Sequence, residues 1–116
     1  MVNHQIMDGI IRPNATLFEG INLDEIPVVD FVAIASESVY DNQGLEGFYT
    51  DLLNNLQPGL TVLLNHVAFD DNEMRAITTR FTHWHAAWRQ ADFDFFTSEK
   101  AKNQLEANSI KLVTWR

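Results

Sequence analysis

Residues 60–67 read LTVLLNHV, and the architecture turns on how this octet folds. It is a short β-branched and apolar run that follows a Pro58-Gly59 stop, which predicts a strand. His66 stands at its carboxyl end, just ahead of the acids Asp70 and Asp71. A lone imidazole there can reach a cleft and carry protons. It can equally be a structural, hydrogen-bonding histidine that ends a strand, and the residues alone leave both readings open.

Upstream, PVVDFVAIA (27–35) is a second continuous apolar run, as expected of a strand covered on both faces. Asp30 lies inside or near the end of that run, either as a site acid or as a turn residue. ESVYDNQG reads as a loop, and LEGFYTDLLNNL places Leu45, Phe48, Leu52, Leu53 and Leu56 at helical spacing. Residues 1–27 are weakly defined: Gln5 to Ile11 can form a strand that Arg12-Pro13-Asn14 breaks.

Downstream, Asp70-Asp71 suits a helix start, with Met74 to Thr79 as a short helix. Phe81, Trp84, Trp88, Asp92 and Phe95 recur at three or four residues, which predicts a helix over 82–94 with an aromatic stripe. Thr97 and Ser98 can cap a last helix running through Leu105 towards Asn108, a residue tolerant of the left-handed C-terminal position. IKLVTW (110–115) reads as a third strand.

Strand and helix therefore alternate, so the expected fold class is α/β, built of parallel βαβ units in one domain over residues 1–116. Right-handed crossovers would gather Asp30, His66 and Thr114 or Trp115 near the carboxyl ends of neighbouring strands, where α/β folds build their sites. So few parallel strands leave edges and faces in need of cover.

Composition narrows the function. The 116 residues hold no cysteine, which excludes disulfides and thiolate chemistry. No apolar run approaches the roughly 20 residues of a membrane span, and no signal-peptide pattern follows Met1, so no membrane association and a cytoplasmic location are expected. Asn14-Ala15-Thr16 is accordingly read as a turn rather than a glycosylation acceptor. The formal charge is -8, with eleven acids and no Lys or Arg between Arg12 and Arg75. Such a surface repels phosphate backbones and argues against nucleic acid.

From Asp30 to Arg116 the chain resembles the C-terminal part of the YdjC-like (ChbG-type) carbohydrate deacetylases. The similarity lies in LLNNLQPGLTVLLNHVAFDDNEM, which is like the family's helix, Pro-Gly turn and strand ending in His-Pro-Gly. It continues in WRQADFDFFTSEKAKNQLEANSIKLVTWR, like the family's Arg and acid, Leu-Thr-Ser, helix and final Ile-x-Leu strand. The resemblance implies a distorted (β/α) barrel of which this chain would be the C-terminal portion, an acetylated oligosaccharide as ligand, and a divalent metal in the complete enzyme. It places His66 on the family's active-site histidine, with Val67 and Ala68 where the family has Pro and Gly. The family's metal ligands, an Asp-Asp segment and histidines of the earlier half of the barrel, have no counterpart here. No cofactor is therefore expected in this chain alone, and its activity is expected to be incomplete without an N-terminal partner or a second copy.

Around His66, the candidate substrate contacts are Asp30, Arg89 and Trp84. Arg89 and Asp92, at i and i+3, can instead form a surface pair, and Trp84, Trp88 and Trp115 can be core rather than sugar platforms. His83-Trp84-His85 suggests a metal, but on a helix the two imidazoles would lie about 200° apart and could not share an ion. The alternative function is a non-catalytic assembly domain that self-associates through strand edges or the aromatic stripe.

Overall fold

A computed structural model describes residue 20 and residues 29–114. The expected strand at 5–11, the Asn14 turn and Trp115 lie outside the described residues. Within them run β1 (Phe31–Ile34), α1 (Glu37–Asn42), α2 (Leu45–Asn54), β2 (Thr61–Leu64), α3 (Asn72–Ile77), α4 (Ala86–Phe96) and α5 (Glu99–Ala107). The two strands pair in parallel, with Phe31 beside Thr61 and Ile34 beside Leu64. Mixed α/β architecture with a helical crossover between parallel strands is therefore present, on a sheet of two strands. Among the described residues no helix is long and apolar enough to cross a membrane.

Local chemistry explains most element boundaries. The stretch expected as a loop after β1 is helix α1, because the Ser36 hydroxyl accepts from Val39 N and Val39 is buried beneath it. A left-handed Gly44 (φ 77°) separates α1 from α2, whose Leu45, Phe48, Tyr49, Leu52 and Leu53 form one buried stripe. At the turn into β2, Gly59 (φ 137°) sits against Asp30, and a Cβ there would lie 2.6 Å from the carboxylate. Asp30 Oδ2 accepts from Leu60 N at 2.7 Å, which clasps the two strands at their amino ends.

Asp71 caps α3 by accepting from Met74 N, and Ser98 caps α5 by accepting from Ala101 N. Both helix starts agree with the sequence reading. The core lies where α2 meets α4 and α5, around Tyr49, Leu52, Trp88, Phe95 and Ala101, with Ala33 and Ala35 closing it from the sheet side.

Three expectations need correction. The helix predicted over 82–94 begins only at Ala86, because Trp84 has φ 53°, a left-handed conformation that a right-handed helix cannot contain, and His85 is the N-cap of α4. Residues 110–114 form no strand: Leu112 and Val113 are exposed, and strand propensity alone does not supply a partner edge. Nor is β1 covered on both faces, since Ala33 is its one fully buried residue.

The end of α5 also differs by one position. Asn108 keeps a right-handed backbone, and Ser109 takes the left-handed one (φ 54°) while Ile110 N bonds back to Leu105 O. A side chain in this region is strained where glycine is not. Ser109→Gly is expected to stabilise the fold by about 0.5 kcal/mol, and Ser98→Ala to cost about 1 kcal/mol, both measured by urea unfolding.

Candidate functional site

Because β1 and β2 stop in register, the chain leaves both strands at one edge. A cleft of about 430 Å³ opens there, lined by Ile34 and Glu37, by His66, by residues 80–84 and by Arg89. Its position at the carboxyl ends of parallel strands is the one from which α/β proteins draw their sites.

His66 itself is exposed at the mouth, while its backbone is held firmly. Three alternate amides past β2 are tied to α4: His66 N donates to Asp92 Oδ2 at 3.0 Å, Ala68 N to Arg89 O at 3.2 Å, and Asp70 N to the Gln90 side chain at 2.8 Å. The segment is thus laid along the helix as a strand would be laid on a neighbour. The extended backbone has found acceptors on a helix instead of on a third strand.

Asp92 is the anchor of this arrangement. It is fully buried, and its other oxygen accepts from the Tyr49 hydroxyl at 2.5 Å. Burial, the bond to Asp92 and the charge of Asp92 together raise the Tyr49 phenol above its ordinary value, so it stays protonated and donates. One carboxylate therefore joins α2, α4 and the His66 segment. The surface pair with Arg89 that its spacing suggests does not form. The available signal was its place in the aromatic stripe, four residues after Trp88 and three before Phe95, where a side chain faces the core.

The other wall of the cleft is the loop between α3 and α4. Buried Thr78 donates to Met74 O at 2.7 Å and accepts from Ala86 N at 3.1 Å, which fastens the loop at its root. Trp84 holds its left-handed backbone with its carbonyl accepting from Arg89 Nε at 2.8 Å. Non-glycine residues in such conformations concentrate at functional sites, which directs attention to this one. The Trp84 ring lies 5.0 Å from that of Trp88, which is buried and stacked on Tyr40 at 4.2 Å.

The two neighbouring histidines have separate tasks. His85 Nδ1 accepts from Trp88 N and caps α4. His83 Nε2 lies 3.1 Å from both Asp41 oxygens, and its Nδ1 is 3.5 Å from Glu37, so it joins the loop to α1. The reason given from sequence for their not sharing an ion, a helical spacing, is superseded because they are not on a helix. Among the described residues, no group of three or more His, Asp or Glu side chains converges to hold a metal.

Of the residues selected from sequence, His66, Arg89 and Trp84 meet at one cleft. Asp30 does not join them. It precedes β1 at the amino end of the sheet, a strand length of roughly 13 Å from the carboxyl edge, and it serves the Leu60 amide. Arg80, which sequence reading did not select, lines the cleft as well. Comparison of the chain with protein-family models and with curated proteins gives no match.

Removing the Tyr49 hydroxyl leaves a buried carboxylate oxygen without its donor. Tyr49→Phe is expected to cost about 1–3 kcal/mol in chemical unfolding and to speed hydrogen exchange at the His66 amide. Unchanged exchange at that amide would separate Asp92 from the positioning of His66.

Proposed function

We propose that this chain is a carbohydrate-binding domain related to the YdjC-like deacetylases, corresponding to the C-terminal portion of their barrel and incomplete as a catalyst on its own. The observation that carries the reading is the meeting of His66, Arg89 and Trp84, three of the four residues that sequence reasoning selects for this role, at the carboxyl edge of the parallel strands. An aromatic ring offers the apolar face of a sugar a surface to pack on. A guanidinium beside it offers directed donors to hydroxyl or carbonyl oxygens. The imidazole of His66, on a backbone that Asp92 and Arg89 hold in place, is suited to move a proton at a leaving amine. In the complete family enzyme a divalent metal would supply an activated water, and its ligands would come from outside this cleft. The side chains of this cleft supply contact, orientation and a proton carrier to that chemistry.

A second reading is supported by a different observation. Among the described residues the sheet has two strands, and Leu64, Val67 and Phe69 beside it are exposed, which leaves apolar surface and strand edges for a second copy of the chain. A self-associating assembly domain would use that face, and a truncated barrel would regain cover in the same way.

Titration of the full chain with di-N-acetylchitobiose, followed by amide and indole NMR shifts and by acetate release, tests the first reading. Saturable shifts at His66 and Trp84 without acetate release are expected, and Trp84→Ala is expected to weaken binding by about tenfold, in line with the loss of one aromatic contact. Unmoved spectra at millimolar sugar, together with a concentration-dependent rise in mass by light scattering, would sink the sugar reading in favour of assembly.

A further inference from the structure

The cations of this protein are not used uniformly. Arg75 pairs with Asp70, Lys100 with Glu46 and Lys102 with Glu99. Among the described residues Arg80, Arg89 and Lys111 have no carboxylate partner. Of these, Arg80 and Arg89 line the cleft at the carboxyl edge of the strands. A guanidinium in a strongly acidic protein readily finds a carboxylate nearby, and two that face one cavity without one are placed to receive an anion from outside.

The charge of that anion is set by the remaining lining. Among the described residues Glu37 is the one carboxylate that lines the cleft, so their two guanidiniums and one acid leave a single formal positive charge, with histidines counted as neutral. A monoanion closes this balance. A dianion would leave an excess negative charge inside a molecule already at -8. The Arg89 Nε is occupied by the Trp84 carbonyl, which fixes the guanidinium plane and leaves its terminal nitrogens to donate. Trp84 and half-exposed Phe81 stand beside this pair as apolar surface. The volume, about 430 Å³, falls within the roughly 300–1,000 Å³ of small-molecule sites.

We propose that the cleft selects a saccharide bearing a single carboxylate, a sugar acid, with Arg80 and Arg89 as the carboxylate site and Trp84 as the ring platform. The assignment rests on the sugar-binding reading above and adds the charge of the ligand. To the contacts open to a neutral acetylated oligosaccharide it adds a preference for an anion.

The test is a calorimetric titration of the full chain with glucuronate, its neutral methyl ester, glucose 6-phosphate, di-N-acetylchitobiose and acetate. Glucuronate is expected to bind about tenfold or more tighter than its methyl ester, with the preference falling as salt rises and shrinking towards unity in Arg80→Gln. Arg80 is exposed and has no side-chain partner among the described residues, so this variant is expected to fold as the parent does. Arg89→Lys, which keeps the charge and loses the planar fork, is expected to retain only part of the preference. Equal binding of glucuronate, its ester and di-N-acetylchitobiose would overturn the carboxylate site and leave the sugar reading standing. Acetate binding as tightly as glucuronate would retain an anion site and overturn the sugar platform. Tighter binding of the phosphate would overturn the monoanion assignment, and no binding of any probe would overturn both readings.

Discussion

The buried carboxylate of Asp92 is the constraint on which the rest of this structure depends. A carboxylate removed from water is costly unless its oxygens are satisfied, and here the donors come from two distant parts of the chain, Tyr49 on α2 and the His66 amide beyond β2. The cost of leaving Asp92 unpaired therefore specifies how α2, α4 and the β2 exit sit together. Hydrophobic burial of Trp88, Phe95 and Leu52 drives the helices together without fixing their register. The directional bonds to Asp92 supply that register, and they are the reason an exposed histidine has a defined backbone.

The same anchoring explains the form of the cleft. The 66–70 segment is extended, and it satisfies alternate amides on α4 in place of a neighbouring strand. Opposite it, the 78–85 loop is held at Thr78, at the Trp84 carbonyl and at His83, so its left-handed Trp84 is over-determined by its surroundings. Both walls are thus irregular backbone tied to the helices at several of its polar groups. Such walls can present polar side chains to solvent without a layer of regular secondary structure behind each one.

Much of the candidate site was legible in the sequence. His66 was marked by its place at the end of a short apolar run and by the family resemblance, Arg89 by that resemblance, and Trp84 by its place in an aromatic stripe. Their convergence on one cleft agrees with the expectation that sites form at the carboxyl edge of parallel strands. Asp30 was misplaced because a continuous apolar run does not say where its paired portion begins: four residues enter the ladder, and Asp30 precedes them. Arg80 escaped notice because a single cation in a polar loop has no periodic signal. Asp92 was paired with Arg89 because i, i+3 spacing is visible in a sequence, whereas the hydroxyl 43 residues away that claims it is not.

What the sequence by itself determined is what is written within a few residues: the α2 stripe, the β2 run after Pro58-Gly59, the Asp71 and Ser98 caps, and the parallel crossover implied by their order. These depend on local periodicity and on hydrogen bonds spanning two or three residues, which a linear reading contains. Only the tertiary structure decided that Asp92 is buried, that Trp84 leaves the helix in a left-handed turn, that 110–114 gains no strand partner, and that Arg80 and Arg89 face one cavity. Each of these is settled by competition among distant groups for the same desolvated space or the same free donor, and that competition exists only once the chain has folded.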